Sequence, residues 1–156
     1  MKNAVTTSEI FKYILLFTFL FAAFLALAIN YNRVFKIKNE TISILEKYEG
    51  VNIDSLNIIN NYLIHNNYNT KGQCVLGEYG LKDLNNINLE QVTNEREKYF
   101  YCLSDKLVRN ENDDRIYYNI KLFYKFNLPF LGELFTFKIS GETKGIKYYS
   151  KGQRLS

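Results

Sequence analysis

Two cysteines, one histidine and a carboxylate just ahead of a long apolar run carry most of the chemistry that this 156-residue chain offers. Cys74 and Cys102 are its only cysteines. Their separation excludes a CxxC redox pair, and a single histidine leaves no credible zinc set. Each cysteine falls in a segment that reads as a strand, residues 73–76 and 98–104, so neighbouring strands can bring the two sulfurs together. A disulfide closing that loop would stabilise the domain by roughly 3–4 kcal/mol through lost entropy of the unfolded chain, and it requires an oxidising compartment. The alternative is a pair of unbonded, buried thiols.

The remaining candidates have bland readings. His65 falls in the last turn of an expected helix, where the helix dipole favours a surface imidazole. No Gly-rich phosphate loop, GxSxG elbow, HExxH or EF-hand pattern occurs. Gly77-Glu78-Tyr79-Gly80 matches GxxG, but Glu78 is the wrong charge for a nucleic-acid loop of that type, so the segment reads as a turn. Asp113-Asp114 reads as solvated charge ahead of a strand. Asn39-Glu40-Thr41 is a formal glycosylation sequon placed on a helix. No catalytic, cofactor-binding or metal-ligating residue is expected, and the chain reads as a non-enzyme.

The elements around these residues point to a membrane. From residue 10 to residue 29 only Lys12 and Thr18 are polar, and 20 residues of helix span about 30 Å, the thickness of a bilayer's hydrocarbon core. An apolar helix this long is rare inside so small a domain. A cleavable signal is the competing reading, since Ala26-Leu27-Ala28 fits a small-x-small cleavage pattern. The net charge of +4 is scattered, without the clustered basic stripe of a nucleic-acid partner. The chain divides into a polar leader (1–9), a transmembrane helix (10–29), an amphipathic helical stem (30–50) and an α+β domain (51–156). Counting cations on either side of the span favours a cytoplasmic domain. The two cysteines favour the opposite orientation, a single-pass cell-membrane protein with its C-terminal domain outside.

In the stem, Tyr31, Val34, Phe35, Ile42, Leu45 and Tyr48 recur at helical spacing, and Gly50 supplies a helix end. One unbroken helix from about residue 9 to 49 is expected. A second helix begins near Asp54 or Ser55 as cap, buries Leu56, Ile59 and Leu63, and ends in the Asn-rich stretch 66–69. Residues 116–126 alternate, with Ile116, Tyr118, Ile120, Leu122, Tyr124 and Phe126 on one face; residues 134–140 do the same with Phe135, Phe137 and Ile139. A hairpin across 127–133 joins them. The antiparallel sheet is expected to have one apolar face, covered by the stem, and one solvated face. The hairpin carries Leu128, Pro129, Phe130 and Leu131, which either fold back or form an exposed contact tip for a partner or a membrane.

An apolar N-terminal helix continuing as an amphipathic spine against an antiparallel sheet resembles the plan of type IV pilins and pseudopilins. The segments RVFKIKNETISILEKYEG and FYKFNLPFLGELFTFKISGETKGI are similar to TadE-like pseudopilins of low-GC Gram-positive bacteria. The resemblance implies a pilin-like fold, insertion in the lipid bilayer, and packing with other pilin-like subunits or assembly proteins in a pilus or secretion apparatus. It also implies leader removal after a small residue, with Glu at the fifth mature position. Ala4 followed by Val5-Thr6-Thr7-Ser8-Glu9 meets that spacing, with Ala4 where the family usually has Gly. A carboxylate at the edge of a lipid-embedded helix is costly unless paired, and the freed amine of a neighbouring subunit would pair with Glu9 and fix the stagger between helices. The other reading of Glu9 is an interfacial carboxylate in contact with water. The alternative to a pseudopilin-like subunit is a membrane-tethered or secreted non-catalytic binding domain.

Overall fold

The computed structural model describes residues 2–109, 114–128 and 132–147. It shows an α+β fold in which one long N-terminal helix runs onto a small antiparallel sheet. Helix α1, Lys2–Lys47, is 46 residues without interruption, about 69 Å at 1.5 Å per residue. It begins ahead of the expected residue 9. No proline or glycine interrupts it, and Thr18, the one residue of the apolar run that competes for backbone hydrogen bonds, donates its hydroxyl back to the Ile14 and Leu15 carbonyls at 2.9 Å.

The two halves of α1 have different surroundings. None of residues 8–29 is buried. Beyond them, Val34, Ile37, Thr41, Ile44 and Leu45 are buried against the domain, at the three- and four-residue steps of one helical stripe. This shifts the expected stripe. Val34 and Leu45 belong to it, whereas Tyr31 and Phe35 sit on its flank at 42% and 40% exposure. Thr41 is tolerated in the core because its hydroxyl donates to the Ile37 carbonyl at 2.8 Å.

The helix ends where the sequence places the stop, with an added feature. Glu49 takes the left-handed conformation (φ 55°), Gly50 also has a positive φ of 123°, and the Gly50 N–H reaches back to the Leu45 carbonyl at 2.8 Å. Gly50 is needed for space as well, since a Cβ there would lie 2.9 Å from the Tyr118 ring.

Helix α2, Ile53–His65, is capped by Asn52, not by Asp54 or Ser55. The Asn52 Oδ1 accepts from the Ser55 N–H at 2.8 Å, and the Ser55 Oγ accepts from the Asn52 N–H at 2.9 Å. Ser55 thus closes a reciprocal capping box from the third helical position. At the other end Asn67 (φ 50°) provides the left-handed residue, and the Tyr68 N–H bonds to the Leu63 carbonyl. Leu56, Ile59 and Leu63 are buried as expected.

The strands are β1 Gly72–Gln73, β2 Tyr79–Leu81, β3 Glu90–Gln91, β4 Lys98–Tyr99, β5 Tyr101–Val108, β6 Arg115–Leu128, β7 Gly132–Glu142 and β8 Ile146–Lys147. The main sheet runs β3-β2-β5-β6-β7, with β8 pairing the start of β6. All its pairings are antiparallel. Between β7 and β8 the Thr143 Oγ1 accepts from the Tyr118 N–H at 3.0 Å, so a side chain continues the ladder. Strand β2 overlaps the expected turn at 77–80; Gly77 (φ 86°) makes the turn and Tyr79 opens the strand. The β6–β7 pairing extends to Leu128 and Gly132, past a register shift at Phe126/Asn127, which narrows the expected 127–133 loop.

Ile116, Tyr118, Ile120 and Leu122 are buried together with Tyr101, Leu103 and the helices' apolar stripes. The other face is not simply solvated. Cys74, Val92, Tyr99, Cys102 and Phe123 form a second buried cluster there. The two-stranded β1–β4 ribbon accounts for this cover: Gly72 sits so close to the Phe123 ring that a Cβ would meet it at 2.2 Å.

Candidate functional site

Cys74 and Cys102 are bonded, with their Cα atoms 5.7 Å apart. Cys102 lies in β5, but Cys74 lies just past β1 and not within a strand, because β1 pairs only through Gly72 and Gln73. The bridge is buried beside Val92, Tyr99 and Phe123 and ties the β1–β4 ribbon to the main sheet.

Glu78 stands next to the bridge at 8% exposure. Its Oε2 accepts from the Val75 N–H at 3.0 Å, and its Oε1 pairs with the Lys121 ammonium. A carboxylate buried to this degree is tolerated only with such partners. Cys74, Glu78 and Cys102 are the potential metal-ligand grouping among the described residues. Metals bind thiolates, and both sulfurs are committed to each other, so the oxidised protein offers that position a single carboxylate already held by Lys121.

The buried tyrosines act as polar pins. The Tyr68 hydroxyl accepts from the Phe123 N–H at 2.7 Å and lies 3.0 and 2.9 Å from the Phe100 and Phe123 carbonyls, to which its single proton can be donated. The Tyr101 hydroxyl donates to Asn60 Oδ1 at 3.1 Å, and the Asn60 amide donates onward to the Asn86 carbonyl at 3.0 Å. Burial raises the pKa of both phenols above the ordinary tyrosine range.

The remaining sequence candidates are spread along the molecule. Ala4 and Val5 lie in the first turns of α1. Glu9 is exposed on the same helix, and His65 is exposed in the last turn of α2. Leu128 ends β6, paired with Gly132; Pro129, Phe130 and Leu131 of the expected contact tip lie outside the described residues. Asp113 does too. The fold brings Cys74 and Cys102 together and joins neither to Glu9.

A site that no motif announced lies where α1 leaves its exposed half. Asn30 and Arg33 of α1, Asn67, Asn69 and Thr70 after α2, and Lys125 of β6 line a groove of about 250 Å³. The Arg33 guanidinium donates to the Asn66 carbonyl and fixes α1 to the end of α2. Beside the groove an aromatic ladder crosses from helix to sheet. Tyr31 lies 6.1 Å from Phe35 and 6.2 Å from Tyr124, and Tyr124 stacks on Phe137 at 5.2 Å. The groove draws on three segments far apart in sequence, so its one visible signal is the pair Asn30 and Arg33 directly after the apolar run. Comparison with protein families, curated proteins and solved structures yields no match.

Proposed function

We propose that this chain is a pseudopilin-like structural subunit, anchored in a membrane by the first half of α1 and carrying its disulfide-bonded domain on the outside. The observation that carries the reading is the division of labour along a single unbroken helix. None of residues 8–29 is buried by the described residues, while Val34, Ile37, Thr41, Ile44 and Leu45 are buried against the domain. The helix is long and apolar enough to cross a bilayer, and because it continues into the core, a displacement of the embedded half moves the domain with it. A flexible tether would not transmit position in this way. The buried disulfide supports an oxidising compartment.

Glu9 tests the assembly step. An isolated anchor has no use for a carboxylate beside its lipid segment, so Glu9→Leu would insert as well as the parent or better. A subunit that pairs Glu9 with a neighbour's terminal amine would also insert, yet lose the contact that sets helix stagger. The expected result is normal membrane abundance with loss of crosslinking between subunits. Unchanged crosslinking in Glu9→Leu removes Glu9 from assembly and favours a membrane-tethered binding domain.

A further inference from the structure

We infer that the groove between α1, the loop after α2 and β6 is a headgroup site for an anionic phospholipid. The inference rests on the anchored reading and adds a ligand to it. Three observations support it. The first is level: Asn30 and Arg33 line the groove directly after Ile29, the last residue of the apolar run, and Arg33 is four residues along an unbroken helix. Four residues rise about 6 Å, and the polar layer on each side of a bilayer's core is about 5–7 Å deep. With the apolar run in the core, the groove opens among the headgroups.

The second observation is charge. Arg33 is an exposed cation lining the groove, and no aspartate or glutamate is among the lining residues. Arginine presents five N–H donors in a planar fork suited to phosphate oxygens. One nitrogen of this fork is anchored on the Asn66 carbonyl, which holds the group in place on a side chain that stays exposed. The Asn30, Asn69 and Thr70 side chains add neutral donors. The third observation is the neighbouring ladder of Tyr31, Phe35, Tyr124 and Phe137. Tyrosine concentrates at headgroup level because its ring prefers the apolar side and its hydroxyl the wet side. The helix therefore presents its cation beside aromatic groups drawn from both helix and sheet, and a phosphodiester in the groove would tie the domain down to the bilayer beside its own anchor.

The test uses the full chain in phosphatidylcholine nanodiscs with increasing phosphatidylglycerol, reading the backbone amide shifts of Asn67, Asn69 and Thr70. Saturable shifts with phosphatidylglycerol are expected, with roughly five-fold more lipid needed in Arg33→Gln. Lys138→Gln, which removes an exposed cation of β7 away from the groove, should behave as the parent. Inorganic phosphate should leave the shifts unchanged. A chain retained in the disc whose groove amides respond equally to both lipids, or whose Lys138→Gln variant is impaired as much as Arg33→Gln, overturns the site. Saturation by inorganic phosphate alone also overturns it, in favour of a free-phosphate site. A chain not retained in the disc at all overturns the anchored reading itself.

Discussion

Tyr68 ties the end of α2 to two distant backbone segments through one hydroxyl. Its hydroxyl lies between Phe100, just ahead of β5, and Phe123 of β6, where it serves one backbone N–H and two carbonyls. Tyr68→Phe keeps the ring but leaves those groups short of a partner, and it should destabilise the full chain by about 1–3 kcal/mol in urea unfolding. The same burial has a pH signature. The folded state raises the Tyr68 and Tyr101 pKa values, so above the ordinary tyrosine value of about 10 the unfolded chain loses protons that the folded chain keeps. Stability is therefore full below pH about 10 and falls as the pH rises beyond it. Tyr68→Phe, although less stable at neutral pH, should lose stability less steeply on that alkaline limb. An alkaline limb as steep as that of the parent would contradict the assignment. Tyr68 was hidden in the sequence because one tyrosine in an Asn-rich stretch has no period; only the folded chain shows that its hydroxyl meets backbone 32 and 55 residues away.

At the scale of elements, periodicity revealed what local spacing controls. The unbroken α1, the apolar face of α2 and the alternation along β6 follow from residue order alone. What it missed depends on distant partners. Strands β2, β3 and β8 are two or three residues long, too short to carry a period. The second face of the sheet is covered because the disulfide pulls the β1–β4 ribbon over Phe123. Removing that constraint in Cys74→Ser/Cys102→Ser, whose bridge spans a separation of 28 residues, should cost about 3–4 kcal/mol. In the parent chain, neither cysteine should be alkylated after denaturation without reductant. The helix stop makes a paired prediction. Gly77→Ala meets no atom within 4 Å but sits at φ 86°, so it carries only the backbone penalty of about 1–2 kcal/mol. Gly50→Ala carries a similar penalty at φ 123° plus a collision with Tyr118, and its melting temperature should fall further. Equal losses in the two variants would show that the Tyr118 contact yields without cost.

For the molecule as a whole, the proposed subunit needs the exposed half of α1 as a packing surface in the membrane as well as an anchor. Composition made legible a helix long and apolar enough to cross a membrane, and the resemblance to pseudopilins suggested a use for it. Neither could reveal the groove at its end, which three separate segments build. The direct measurement is a single-cysteine scan through residues 17–27 of the full chain in cell membranes, with oxidative crosslinking between copies. Cys74 and Cys102 are bonded to each other and stay silent in this assay. An assembling subunit predicts crosslinked products at positions recurring every three to four residues, the period of one helix face. A chain that is fully membrane-inserted and yields no crosslink at any position would contradict the account.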